Sequence, residues 1–183
     1  MNATDDLKQD HLMIRRLGNI TQKCSDKLYA NKDIPIEDIE ILSVIIQEFV
    51  DAFHHGKEEK AYFPQTKDKN SFSEDVRKFL IEHELGRRIA NMLSRSINDW
   101  KRGIDSREPV ARFLKSYSVF VSEHTLKEDI FFDQVEDTGS LSEEEHNTLT
   151  KYYDICRNTV GGKVRMDQMI KMIKFLEDRE WMF

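Results

Sequence analysis

The sequence predicts an all-α protein forming one domain over 1–183, with a four-helix core at about 5–135 and a helical extension at about 140–180. Three observations carry this. Only seven Gly and three Pro interrupt 183 residues, so little of the chain is punctuated as turn. Asp, Glu, Lys and Arg make up 34% of it, above the typical quarter, which suits long helices with solvated faces. Apolar residues recur at helical spacing, three or four apart, rather than alternating as in strands.

The first helix, Thr4 to Ala30, carries Leu7, His11, Ile14, Leu17, Ile20, Cys24 and Leu28 on one face. Asn31–Asp33 is a short polar link, with Asp33 as N-cap and Pro35 in the first turn of the next helix. That second helix turns Leu42, Ile45, Ile46, Phe49, Val50 and Phe53 inward and is expected to end at Phe63-Pro64. Ser71 and Glu74 spell a capping box ahead of the third helix, whose stripe is Val76, Phe79, Leu80, His83, Gly86, Ala90, Leu93 and Ile97. After the break at Gly103 to Pro109, the fourth helix has the cleanest stripe: Val110, Phe113, Leu114, Tyr117, Phe120, Val121, His124, Glu128, Phe131, Phe132 and Val135. Ser142 with Glu145 starts a more polar fifth helix, and Gly161-Gly162 separates it from a sixth with Met169, Met172, Ile173 and Leu176 inward. These last two are expected to pack outside the four-helix core.

Composition removes several function classes. A net charge of −6, with Lys and Arg dispersed among acids, argues against nucleic acid as a partner. The acidic, polar N-terminus and the lack of any long apolar run argue against a membrane partner, and a cytoplasmic location is expected. Cys24 and Cys156 both fall on apolar stripes and read as reduced, buried thiols, with one disulfide as the other reading. No protein partner is named by the residues.

The chemistry lies in residues that do not suit the stripes they occupy. His54 and Glu58 are four apart, a rotation of about 40° on a helix, so imidazole and carboxylate leave one face a turn apart. His124 and Glu128 repeat that spacing, and His11 and His83 sit singly on two further apolar faces. An ionised buried acid is costly unless paired or bound to a cation. One such pair is weak evidence; four inward histidines, one per helix, with two inward carboxylates, form a metal-ligating set of His11, His54, Glu58, His83, His124 and Glu128. Imidazole with carboxylate suits iron, manganese or zinc. His55 and Glu59 share the spacing, but a rotation of about 100° from His54 turns them toward solvent or a neighbouring helix. His146, in the polar fifth helix, reads as a surface residue.

FHHGKEEKAYFP at Phe53–Pro64, HTLKEDIFF at His124–Phe132 and EHELGRR around His83 resemble the hemerythrin-like (HHE cation-binding) family. The resemblance covers about residues 5–180 and implies an up-down-up-down four-helix bundle with two additional C-terminal helices. It implies a pair of iron ions (Fe2+/Fe3+, with Mn or Zn as substitutes) bridged by an oxo, hydroxo or water group. His11 and His54 would bind one ion, His83 and His124 the other, and Glu58 and Glu128 would bridge. Asp129 is the alternative to Glu128, since oxygen carriers of the family use an Asp five residues after the helix-four His. The implied function is binding of, or reaction with, O2, NO or peroxide; a sensing or iron-storage module without turnover is the alternative. Oxygen carriers also have two ligand histidines four apart on the third helix, whereas here Arg87 and Phe79 flank His83 at that spacing. In this the chain is more similar to di-iron proteins of iron–sulfur repair and nitric-oxide handling. Those carry a further N-terminal cysteine-bearing domain, and ten residues precede His11 here, which counts against the repair role.

Overall fold

A computed structural model describes residues 2–183, most of which are helical, with no strand among the described residues. Helix α1 spans Ala3–Tyr29 and begins on a reciprocal cap, in which Asn2 accepts from the Asp5 N–H and Asp5 accepts from the Asn2 N–H. Helix α2 starts at Ile36–Ile45, widens into π-helical turns over Ile46–His55 and Glu58–Tyr62, and closes with Phe63–Thr66. Then come α3 (Ser73–Lys101), α4 (Arg107–Asp137), α5 (Glu143–Thr159) and α6 (Gly162–Glu177), followed by a 3-10 turn at Glu180–Met182.

Several predicted ends moved, each for a physical reason. Asp33 does not cap α2; it pairs with Arg107, and Pro35 takes the cap position. Helix α2 runs past Phe63-Pro64, because Pro64 falls at the start of a new helical turn, where its missing N–H is not called upon. The predicted Ser71 cap of α3 is absent: Asn70 and Ser71 adopt positive φ, Phe72 becomes the first flanking residue, and its ring is buried against Phe131 at 5.2 Å. Packing of that aromatic outweighs a surface cap. The Ser142–Glu145 box does form.

Helix α1 packs mainly on α4, and α3 also lies along α4. At Gly18 the approach is close: a Cβ there would come within 3.0 Å of Val121. The interior divides into two apolar clusters. One holds Ile14, Phe53, Ala90 and Val121; the other holds Leu7, Tyr62, Phe79 and Phe131. On each long helix the chain passes from one cluster to the other across a histidine: Leu7 to Ile14 across His11, Phe53 to Tyr62 across His54, Phe79 to Ala90 across His83, and Val121 to Phe131 across His124. A polar layer thus sits between two greasy ones. Leu80, assigned to the α3 stripe, is instead 40% exposed.

Helices α5 and α6 are part of the packed interior. Leu149 and Tyr153 of α5 join the second cluster, and Met166, Met169, Ile173 and Leu176 of α6 join the first. Buried Asp38 then fastens the chain end, accepting from Arg179 Nε at 2.7 Å and Trp181 Nε1 at 2.8 Å. Cys24 and Cys156 are both buried and unpaired with each other. No helix is long and apolar enough to cross a membrane.

Candidate metal centre

Between the two apolar layers, donor atoms gather in two groups, His11, His54, Glu58 and Glu128, and His55, His83 and His124, each with its atoms within 4.8 Å of one another. All six residues singled out by sequence are brought together, and all are buried. The two carboxylates join the groups. Glu58 places Oε1 3.3 Å from His54 Nε2 and Oε2 3.4 Å from His83 Nε2. Glu128 places Oε2 3.3 Å from His11 Nε2, and Oε1 3.3 Å from His83 Nε2 and 3.1 Å from His124 Nε2. Each carboxylate faces one group with one oxygen and the other group with its second.

The seventh member, His55, is a correction. Turned toward solvent or a neighbouring helix and away from the donors by the α-helical reading, it is 3% exposed and stacks on His83 of the third helix with ring centroids 3.8 Å apart. The cause is the π-helical stretch: a wider turn holds more residues, successive side chains diverge by a smaller angle, and His54 and His55 both fall on the inner side. The HH doublet followed four residues later by EE was the available signal, and α-helical geometry discarded half of it. His146 stays outside, half-buried beside Glu136 at 3.7 Å.

His11, His54, His83 and His124 each bring Nε2 against another donor of the cluster, and all five rings bring Nδ1 to a carboxylate. His11 Nδ1 meets Asp129 at 2.7 Å, His54 meets Asp10 at 3.0 Å, His83 meets Glu59 at 2.8 Å and His124 meets Glu82 at 2.7 Å. His55 Nδ1 lies 3.5 Å from Asp51. Such a partner fixes the tautomer, leaving Nε2 as a lone-pair donor. Asp129, the alternative to Glu128, therefore stands behind His11 and ion-pairs with Arg15. The other outer carboxylates are also held by cations: Asp10 by Lys57, Asp51 and Glu59 together by Arg87, and Glu82 by Lys127. Sequence reasoning named none of the outer five as partners, because each such contact except Asp51–His55 crosses between helices.

Two observations test whether this cluster fits a cation. First, both oxygens of Glu58, Oε2 of Glu128 and Nε2 of His124 are buried without a hydrogen bond among the described residues, although such groups almost never go unpaired. Ring nitrogens His11 Nε2 and His54 Nε2 also face each other at 3.1 Å. Inner contacts of 3.1–3.4 Å are close to the edge of a shell with ligand bonds of about 2.1 Å. Second, the electrostatics call for positive charge. Burial and the Glu128 charge oppose ionisation of Glu58, yet His54 and His83 hold its pKa below the usual value; Glu128 is held lower still, against burial, by His124, His11 and His83. Burial disfavours imidazolium at His54, but Glu58 and Asp10 outweigh it and raise that ring to about 10; at His124, Glu128 and Glu82 do the same, to about 9. His55 goes the other way, down to about 3, through burial and the neighbouring His83 charge. The buried carboxylates that favour imidazolium at these rings would equally favour a bound cation. The donor set fits a metal ion.

Comparison with family models matches the hemerythrin HHE cation binding domain over residues 2–135. That span ends two residues before α4 does. Comparisons with curated proteins and with solved structures found no match.

Proposed function

The chain belongs to the hemerythrin HHE cation-binding family, and on that premise we propose that it is a non-haem di-iron protein that binds or reacts with O2, NO or peroxide. The reading assigns His11 and His54 to one ion, His55, His83 and His124 to the other, and Glu58 and Glu128 to both. The observation that supports it best is the division of each buried carboxylate between the two histidine groups. A single ion would leave half of those oxygens unused. When bound, the iron pair supplies Lewis-acid and one-electron redox chemistry.

The chain's own residues supply the rest. Asp129, Asp10, Asp51, Glu59 and Glu82 hold the Nδ1 protons and so set which nitrogen each ring offers. Phe132 stacks on His11 at 5.5 Å, Phe63 on His83 at 5.8 Å and Phe120 on His124 at 5.1 Å, and these rings keep water from the donors. The His11/His54 position has two imidazoles against three opposite, so it keeps more room for a small ligand. A cytoplasmic setting belongs to the same reading, supported by the unpaired Cys24 and Cys156.

Purification without air, followed by metal analysis, is expected to give about two iron ions per chain, and admitting O2 is expected to change the optical spectrum. Product formed from peroxide or NO by the reduced protein supports reaction. A reversible spectral change without product supports a sensing role. A chain that takes up no metal would end the proposal.

A further inference from the structure

Lys57 is the one cation of the site that water does not reach: its side chain is 0% exposed, against 32% for Arg15, 31% for Arg87 and 53% for Lys127. Its Nζ lies 2.6 Å from Asp10 Oδ2 and also pairs with Asp6. The same Asp10 oxygen accepts from His54 Nδ1 at 3.0 Å. Two aromatic rings enclose the ammonium, Phe53 of α2 with its centroid at 4.5 Å and Tyr153 of α5 at 4.9 Å. Tyr153 is itself 1% exposed. It lies beyond residue 135, where the family match stops.

We infer that helix α5 is a working part of the His11/His54 metal position: Tyr153 seals Lys57, Lys57 pins Asp10, and Asp10 fixes the ring of His54. Lys57 and Tyr153 are positioning residues in this scheme, neither of them touching the metal. The physical basis is screening. An ion pair in contact with water is weak and tolerant of change, whereas a sealed one is strong and its loss leaves an unmatched charge. Without the ammonium, Asp10 and Asp6 lose the lysine counter-ion they share, and Asp10 moves toward water. His54 then loses the acceptor that orients it. Without the Tyr153 ring, water reaches Nζ and the same pair loosens. The opposite position is untouched, because its outer carboxylates are held by Arg87 and Lys127.

The inference rests on the di-metal reading, and the test separates the two. Metal-free full-length protein is titrated with Co(II), following the visible spectrum and the bound metal, for the wild type, Lys57→Met and Tyr153→Leu. Wild type is expected to bind two ions. Both variants are expected to keep one with unchanged affinity and to bind the second about 10–100-fold more weakly, the usual cost of losing an outer partner of a metal ligand. A merely structural defect would lower both affinities together. If wild type binds no Co(II), the metal reading itself fails. If wild type binds two and folded Tyr153→Leu binds both equally well, the role of α5 is overturned while the metal reading stands. Should Lys57→Met not fold, Tyr153→Leu alone decides.

Discussion

The two sides of the cluster share Glu58 and Glu128 but are backed by different material. Behind His11 and His54 stand one arginine partly in water and one lysine sealed under aromatic rings from α2 and α5. Behind His55, His83 and His124 stand Arg87 of α3, as partly exposed as Arg15, and the exposed Lys127 of α4. Arg87 serves two rings at once, holding Asp51 and Glu59 at 2.9 and 3.0 Å. The sealed Lys57 is thus what sets one side apart, and the doubly paired Arg87 the other. A buried charge network tolerates the loss of a member poorly, while a solvated one relaxes.

Removing what the sides share has the largest effect. Glu128→Ala takes an oxygen from both groups, and metal content is expected to fall from about two ions per chain to none, read by metal analysis after gel filtration. Retention of even one tightly held ion would show that the sides are more independent than the shared carboxylate implies. His55→Ala tests the three-imidazole side alone. One ion should be lost and the other kept; two ions retained would return His55 to a packing role.

Acidity sharpens the comparison between empty and filled sites. His54 and His124 are raised to about 10 and about 9 in the folded, metal-free chain, against about 6.5 when unfolded. Their contribution to stability is therefore full below pH of about 6.5 and fades as pH climbs through 9 and 10. Glu58 and Glu128 are lowered, so theirs is present above the ordinary carboxylate range and fades on acidification. The melting temperature of metal-free protein is expected to fall between pH 7 and pH 10. Metal must displace the ring protons, so apparent Co(II) affinity should rise over that same interval, with proton release on binding. Parallel trends would contradict the assignment.

The smallest effect belongs to Gly86. A Cβ there would lie 2.5 Å from Cε1 of Phe120, whose ring stacks on His124. Gly86→Ala is expected to cost about 1–3 kcal/mol in chemical denaturation by overpacking, and to perturb the three-imidazole side only.

Much of this was legible in the chain. The helical stripes of α1, α2 and α4 placed their apolar residues correctly, because in each the buried face is wide and continuous. The six inward donors stood out because imidazole and carboxylate are misfits there. What escaped has specific causes. His55 escaped because a π-helical turn changes the angle between neighbours, and no composition rule announces one. Asp10 sits beside His11 yet serves His54, and Glu82 sits beside His83 yet serves His124. Contacts that cross from helix to helix leave no spacing to read. Lys57 looked like any solvated lysine until its enclosure by α5 was visible.

The widened turn in α2 alters how chains of this kind should be sorted. Because it presents adjacent histidines to the same interior, the third helix contributes one imidazole, His83, and the position a turn later is free for Arg87. Tallying histidines on the third helix would therefore assign this chain an impoverished site. On the proposed assignment His55 of the second helix makes good that deficit, and a comparison of helix pitch, not of residue counts, brings it to light.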